Sequence, residues 1–275
     1  MNNFAIEASF HWAAVALYIL GTALFAYALF FARPGAARWA LWLTGAGLLP
    51  HSAALALRYF SVGHGPYMLK YEVLSSNTWI AVVMLLLFVW RRRDWNAVAL
   101  LVMPVCILMM GLGLFSNPEA RDLPPTLRSI WLVFHVFFNK LAVGAFLLSA
   151  GASVALLLRE RGVKGRFLEK LPDAETVESY MIRFIGFGFL FWSTTIGAGA
   201  IWANQSWGRY WGWDPIETWS LVTWLCYGAL LHARFFFRLR GKAAAWGVLA
   251  CFLVSILTVL IFPFVFPSLH SAYFQ

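Results

Sequence analysis

The stretch with the clearest chemical character is residues 202–219, where tryptophans alternate with small and polar residues. Five of the fifteen tryptophans lie in these eighteen residues, together with Gly208 and Gly212. Anchoring at a membrane interface explains one or two tryptophans at the end of a span and is the competing interpretation. The interleaved glycines favour a site for a flat apolar ligand, because indole faces stack on such a ligand and glycines let it approach the backbone. The candidate contact residues are Trp202, Trp207, Arg209, Trp211, Trp213, Asp214 and Trp219.

The Asp-Pro-x-Glu motif inside this segment has an architectural interpretation of its own. Asp214 as N-cap, Pro215 at the first helical position and Glu217 at the third form a capping box. Such a cap typically stabilises a helix by about 1 kcal/mol. The motif therefore predicts a helix that begins at Pro215, and it leaves open whether Asp214 also contacts the ligand. No side chain is an obvious acid–base catalyst, so no catalytic residue is predicted.

The composition predicts an all-α integral membrane protein. Hydrophobic residues make up 61% of the chain, charged residues 12%, and the mean hydropathy is +0.72. Apolar runs of roughly 20 residues recur throughout, which favours helices over a β-barrel. We therefore predict a single polytopic domain, residues 1–275, that forms a bundle of about eight transmembrane helices. The predicted spans are 9–31, 38–60, 74–90, 95–115, 128–158, 180–203, 216–238 and 243–266.

The distribution of lysine and arginine predicts the orientation of these spans. Basic residues concentrate in alternate connections, such as 91–93 and 159–170. Membrane proteins keep such loops on the cytoplasmic side. Both termini and the segment 202–219 are then expected on the outer, periplasmic side. The net charge of +9 is accordingly assigned to membrane topology and contact with membrane lipid, and we predict no nucleic-acid binding.

The histidines indicate which flat ligand would suit the tryptophan segment. Porphyrin iron needs axial ligands, most often histidine. His135, early in the fifth span, and His270, just beyond the eighth, are both predicted at the outer depth of the segment, which fits a bis-histidine heme site. His232 lies 17 residues after Pro215, about 25 Å along a helix, near the cytoplasmic end. It is either an interfacial histidine or a ligand of a second heme whose other ligand comes from another protein.

The remaining histidines and arginines of interest have less specific interpretations. His51 is predicted either as a hydrogen-bonding core residue or as a transient ligand, and His11 as a residue of the membrane interface. His64 lies between glycines, which predicts a role in a turn. Arg209 and Arg58 are candidates for pairing with heme propionates, with contact to lipid headgroups as the alternative for Arg58.

The run Trp207-Gly-Arg-Tyr-Trp211-Gly-Trp213-Asp214 resembles the tryptophan-rich WWD signature of heme-handling proteins. Its continuation, Asp-Pro-x-Glu-Thr-Trp, resembles the CcsA (ResC) cytochrome c assembly proteins of the System II pathway. One departure is Ile216, where many members carry a lysine. This difference weakens any role for a cation at that position and leaves the predicted cap intact. The resemblance implies that residues 202–219 are an outer WWD heme-binding segment.

Other stretches between residues 51 and 273 are similar to the same family. Residues 58–66 resemble an Arg-x-x-x-x-Gly-His-x-Pro motif that is followed downstream by Tyr-Glu. His135 resembles the periplasmic histidine that precedes the WWD signature in this family. His270 resembles the histidine of the family's Leu-His-Ser motif after the last span. The resemblance implies that His135 and His270 are axial ligands of an outer heme b. It also implies that His232 ligates a membrane-embedded heme together with a residue of a partner protein.

The resemblance further implies a function in cytochrome c biogenesis. Proteins of this family act with a CcsB (ResB) membrane protein, move heme across the membrane and present it at the outer WWD site. Thioether bonds then join the heme to the Cys-x-x-Cys-His motif of apocytochrome c, so the chain is expected in a holocytochrome c synthase (heme lyase-type) complex. The expected location is the bacterial inner (plasma) membrane or the thylakoid membrane, with the WWD segment on the periplasmic or lumenal side.

Two other functions remain open from the residues alone. The first is a membrane b-type electron-transfer cytochrome, which is also helical but pairs histidines across adjacent helices at matched depths. A stable heme that cycles with quinol oxidation would favour it. The second is a transporter of lipids or small molecules with interfacial tryptophans, which purification without heme would favour.

Overall fold

Helices make up almost all of the part of the chain that the structure describes, and no strand occurs there. The computed structural model describes residues 3–31, 33–119, 123–161 and 171–268. The long helices in these ranges are α1 Asn3–Phe30, α2 Pro34–Val62, α3 Lys70–Arg91, α4 Asn96–Leu114, α5 Ile130–Glu160, α6 Ala174–Trp207, α7 Pro215–Phe236 and α8 Gly241–Ile256. Short 3₁₀ turns lie at Arg93–Trp95 and Pro125–Leu127.

Seven of the eight long helices in the described ranges are long and apolar enough to cross a membrane. They are α1 to α6, and α8 together with the turn that follows it. Helix α7 has 22 residues, includes the polar side chains Glu217, His232 and Arg234, and is not among these seven. The prediction of an all-α, multi-pass integral membrane protein is confirmed.

Helices α5 and α6 are longer than a membrane requires. They contain 31 and 34 residues, about 46 and 51 Å at 1.5 Å per residue, against a hydrocarbon core of about 30 Å. The sequence predicts the span of α6 as 180–203, and the helix extends beyond both limits. Its final turn therefore contains Trp207, and the first two tryptophans of the WWD segment are helical.

The chain divides into two compact units. Unit 1 comprises Met1–Ala120 with Val154–Ser179, and unit 2 comprises Arg121–Ser153 with Tyr180–Gln275. Helices α1 to α4 belong to unit 1. The tryptophan segment, α7 and α8 belong to unit 2, together with most of α5 and α6.

Small residues let α1 and α2 pack closely within unit 1. A Cβ at Gly21 of α1 would overlap the hydroxyl of Thr44 on α2. A Cβ at Gly47 of α2 would lie 2.6 Å from the ring of Tyr18 on α1. Such close backbone approach is typical of membrane helices, which associate through packing rather than through the hydrophobic effect.

Aromatic contacts join α5, α6 and α7 within unit 2. Phe146 of α5 stacks on Tyr227 of α7 with ring centroids 3.8 Å apart. A Cβ at Gly188 of α6 would overlap the ring of Phe146. The indole N–H of Trp192 on α6 donates to the Ser220 carbonyl of α7 at 3.0 Å. These three helices therefore form the framework that holds the α6–α7 connection.

The last predicted span, 243–266, is not one regular helix. Helix α8 is followed by a π-helical turn, Leu257–Ile261, and then by a short helix α9, Phe262–Val265. Pro263 explains the break, because proline lacks the N–H of a regular helix and its ring displaces the preceding turn.

Candidate functional site

The connection between α6 and α7, residues 208–214, is held in an unusual backbone conformation. Gly208 follows the last turn of α6 with φ 73°, in the left-handed region that glycine adopts without steric cost. Trp213 also has a positive φ, 56°. A bulky residue there costs of order 1–3 kcal/mol and persists only where its surroundings enforce it. The strained tryptophan therefore marks the connection as a candidate functional site.

The surroundings that enforce this conformation include the helix cap. Asp214 Oδ1 accepts from the Ile216 N–H at 2.9 Å. Glu217 Oε2 accepts from the Asp214 N–H at 3.2 Å and from the Gly212 N–H at 2.7 Å. The predicted capping box is confirmed, and Glu217 also fixes the backbone of the connection through its hydrogen bond with Gly212. A direct contact of Asp214 with a ligand stays a prediction.

The five tryptophans of the segment fall into three groups. The first group is Trp202 with Trp207, whose rings meet edge to face with centroids 4.9 Å apart. Trp202 is buried, and its indole N–H donates to the Thr126 carbonyl at 2.8 Å. The N–H of Trp202 is therefore satisfied within unit 2.

The other two groups differ in exposure. Trp211 and Trp213 lie in the connection with their rings perpendicular and centroids 5.9 Å apart. Trp213 is 70% exposed and the neighbouring Tyr210 is 60% exposed. Trp219, on α7, packs against Phe262 with ring centroids 4.4 Å apart. The accessible aromatic surface of the segment is thus in the connection, whereas Trp219 takes part in packing α7.

His135 of α5 is oriented by a carbonyl of α6. Its Nδ1 lies 2.9 Å from the Thr195 oxygen. Because a carbonyl oxygen can only accept, Nδ1 carries the proton in this contact. The neutral imidazole then has its lone pair on Nε2, which is the atom able to ligate iron. A hydrogen bond from the far nitrogen is what orients ligating histidines in metal sites.

One face of α6 is shaped around this imidazole. A Cβ at Gly199 would lie 2.6 Å from Nδ1 of His135 and 3.0 Å from its Cε1. Trp202 lies one turn further on, with its ring centroid 6.2 Å from that of His135. Thr195, Gly199 and Trp202 follow the i, i+4, i+7 spacing of one helix face. Thr195 and Gly199 are not among the predicted site residues, because the sequence alone does not show which face of α6 meets α5.

The remaining predicted site residues are placed as follows. Arg209 is exposed, and its guanidinium packs against the backbone of Gly212. His232 is exposed near the end of α7, where its ring stacks on Phe236 with centroids 4.4 Å apart. His270 lies outside the described residues, so its pairing with His135 stays a prediction.

Unit 1 contains a buried chain of hydrogen bonds that is not predicted from the sequence. The Tyr71 hydroxyl donates to Glu7 Oε1 at 2.6 Å and lies 2.9 Å from His11 Nδ1. Nε2 of His11 and Nε2 of His51 lie 2.8 and 3.0 Å from the Ser75 hydroxyl. All five residues are buried. The prediction that His11 lies at the membrane interface is therefore wrong, and the structure supports His51 as a hydrogen-bonding core residue.

This chain of hydrogen bonds also bears on the electron-transfer alternative. A b-type cytochrome places the iron-binding nitrogens of two histidines on opposite sides of a heme. His11 and His51 instead direct Nε2 towards the same hydroxyl, that of Ser75. This pair is therefore arranged for hydrogen bonding and not for axial ligation.

Arg58 forms a buried ion pair with Glu72 of α3. Its Nε donates to Glu72 Oε1 at 2.9 Å, and both side chains are at most 5% exposed. Its Nη1 donates to the Pro118 carbonyl at 2.9 Å. The alternative that Arg58 contacts lipid headgroups is therefore wrong. Glu72, the glutamate downstream of the Arg-x-x-x-x-Gly-His-x-Pro motif, is therefore the ion-pair partner of Arg58, the arginine of that motif.

His64 stabilises the turn between α2 and α3. Its Nδ1 donates to the Gly65 carbonyl at 2.8 Å, and the Tyr67 N–H donates to the same oxygen at 2.9 Å. Burial, and next the negative charge of Glu72, raise the pKa of the Tyr67 phenol above its ordinary value. The predicted role of His64 in a turn is confirmed.

Comparisons with known proteins agree on one family. The family described as "Cytochrome C assembly protein" matches residues 67–270. A protein named cytochrome c biogenesis protein CcsA, from Synechococcus sp., is 34% identical over 244 residues, which cover 78% of each chain. A protein of the same name from Heterosigma akashiwo is 30% identical over 231 residues, covering 70% of this chain and 71% of its own.

A solved structure shares the fold. The protein titled "Cytochrome c Heme Lyase CcmF" matches 100% of this chain with a TM-score of 0.73 and 18% sequence identity. This chain spans about half, 49%, of the length of that protein. At this level of identity the likeness concerns the fold alone.

Proposed function

Because the chain belongs to the cytochrome c assembly protein family, we propose that it binds heme b and presents it to apocytochrome c at the WWD segment. The chain is a multi-pass membrane protein of cytochrome c biogenesis. The heme is cargo in this proposal. It is handed to the Cys-x-x-Cys-His motif of the client.

The observation that carries the proposal is the orientation of His135. Its Nδ1–H donates to the Thr195 carbonyl, so Nε2 has the lone pair that iron needs. Gly199 leaves the space that the ring occupies, and Trp202 lies beside the ring. We propose His135 and His270 as the two axial ligands of the heme at this site.

The exposed part of the segment supports a role in holding the macrocycle. Trp213 is exposed and held at a positive φ, and Trp211 lies at a right angle to it. Such a pair offers one ring face and one ring edge to a flat ligand. Arg209 is exposed in the same connection, where its guanidinium suits a heme propionate. The proposed contribution of these residues is to fix the direction in which the vinyl groups point.

The attachment itself needs positioning more than acid–base catalysis. In each thioether bond the cysteine S–H adds across a vinyl double bond, with sulfur joining one carbon and hydrogen the other, so no oxidant is consumed. Holding the vinyl groups against two incoming thiols makes this reaction effectively intramolecular. On this proposal the chain is part of a holocytochrome c synthase complex.

Delivery of heme to the segment is assigned to His232 and a partner. His232 is exposed near the end of α7, about 25 Å along the helix from its start. We propose that it ligates a second heme together with a residue of a CcsB (ResB)-type membrane protein. The positive-inside rule, applied to the arginine-rich connections, supports a cytoplasmic location for this end and a periplasmic or lumenal location for residues 202–219.

The experiment that tests the proposal is heme binding by a His135→Ala variant of the full chain, purified with its CcsB-type partner. Loss of one axial ligand should lower the heme content and change the absorption spectrum. Added imidazole should partly restore both, because it can occupy the space that the side chain leaves. A variant with unchanged heme content and spectrum would exclude His135 as a ligand.

A further inference from the structure

A cavity of about 500 Å³ lies between α2 and α3, at the end of unit 1 that contains the arginine-rich connections. It adjoins a second cavity of about 350 Å³. Arg38 of α2 and Arg93 of the following 3₁₀ turn line both. The two arginines therefore occupy the border of a space large enough for a small-molecule ligand.

These two guanidinium groups have no counter-ion among the residues that the structure describes. Neither Arg38 nor Arg93 forms an ion pair or a side-chain hydrogen bond with another residue in the described ranges. The nearby carboxylate, Asp94, pairs with Arg92 at 3.3 Å. An anion between two like charges at one edge of a cavity offsets their mutual repulsion. Both arginines are exposed at this edge, where they are accessible to a negatively charged group.

The rest of the cavity is apolar and open at the side of the bundle. Trp42 of α2 and Trp90 of α3 line it and are 68% and 66% exposed. Gly45 lines it as well, and a Cβ added there would meet no atom within 4 Å. A ligand here has an apolar body that enters from the membrane, and indoles sit at the level of lipid headgroups.

We propose that this cavity binds an anionic phospholipid, with the phosphate between Arg38 and Arg93 and an acyl chain along Trp42, Trp90 and Gly45. Basic pockets between transmembrane helices are a known form of anionic-lipid recognition. Heme is the other amphipathic anion to consider. None of the described residues that line the cavity is a histidine, so the cavity offers heme no axial ligand of the usual kind. The lipid is therefore the better fit.

The test is native mass spectrometry of the full chain in detergent, titrated with phosphatidylglycerol or phosphatidylcholine. Wild type should bind phosphatidylglycerol more tightly than phosphatidylcholine. The double variant Arg38→Gln/Arg93→Gln should lose at least about tenfold in that affinity, since a hydrogen bond to a charged group such as the phosphate contributes about 1.5 kcal/mol. Gly45→Leu should also weaken binding of phosphatidylglycerol, because its side chain would fill the cavity without a clash.

Each variant has a matched control in unit 1. Arg33→Gln/Arg91→Gln removes the same charge from the same end without touching the cavity lining, and should keep the affinity within about threefold. Gly111→Leu adds the same side chain at another open position and should bind as wild type. Equal losses in test and control variants would overturn the proposal. So would equal affinity of wild type for the two lipids, or a Gly45→Leu variant that loses binding of added hemin but not of phosphatidylglycerol.

Discussion

Replacing Gly199 with alanine should weaken heme binding through His135, although alanine is the better helix former. The new Cβ would lie 2.6 Å from His135 Nδ1, which is well inside van der Waals contact. The imidazole must therefore move away from α6 and lose its hydrogen bond to the Thr195 carbonyl. The ring would then no longer be held in the orientation that directs Nε2 to the iron.

The substitution should change heme affinity and folding stability for separate reasons. Loss of the hydrogen bond contributes about 1 kcal/mol, and losing the group that orients a ligating histidine typically lowers metal affinity 10- to 100-fold. Exchanging glycine for alanine within a helix stabilises the helix by up to about 1 kcal/mol. We therefore expect heme affinity to fall at least about tenfold while the fold is retained or becomes more stable.

The assay is a heme titration of the purified full chain, followed by absorption in the presence and absence of imidazole. Gly197→Ala is the matched control, since it lies on the same helix and a Cβ there would meet nothing within 4 Å. Both variants gain the same helix propensity, so a difference between them reports the contact with His135. Equal heme affinities of the two variants would show that the contact between Gly199 and His135 does not control heme binding.

Two other predictions concern the cap and the buried ion pair. Asp214→Asn keeps an oxygen that can accept from the Ile216 N–H, so it should reduce covalent heme attachment to a co-expressed apocytochrome c less than Trp211→Ala does. Arg58→Met leaves the Glu72 carboxylate buried without its cation and should lower the free energy of unfolding by about 3–5 kcal/mol, as measured by thermal unfolding in detergent. Adding Glu72→Gln to that variant should recover part of the loss.

Each of these predictions has an outcome that would contradict it. If the Asp214 and Trp211 variants lose heme attachment equally, the aspartate does more than cap α7. If Arg58→Met unfolds at the temperature of wild type, water or another cation compensates the buried carboxylate, and the ion pair does not stabilise unit 1.

The features that the sequence predicts well are those that depend on neighbouring residues. The start of α7 is an example, because Asp214 and Glu217 form the capping box within four residues of chain. The apolar runs likewise predict the helices, since a helix must satisfy its backbone hydrogen bonds internally in a membrane. Periodicity predicts less well where a helix ends, and α6 continues through Trp207 beyond its apolar run.

The features that the sequence does not predict depend on which face of a helix is buried. Helices that are apolar on all sides show no polar and apolar stripe, so their contacts cannot be read from periodicity. His11 and Tyr71 are 60 residues apart and meet only because α1 packs on α3. The same reasoning explains why Gly199, an ordinary glycine in the sequence, emerges as a site residue only when α5 lies against α6.

The most direct test of heme ligation at the WWD segment is the absorption spectrum of the reduced complex, recorded for wild type and for His135→Ala. Wild type should show the spectrum of a bis-histidine heme. The variant should lose the contribution of the outer heme to that signal and regain part of it when imidazole is added, while His232→Ala supplied with heme at the outer side should keep that contribution. An unchanged bis-histidine spectrum in His135→Ala would contradict the proposed function of this site.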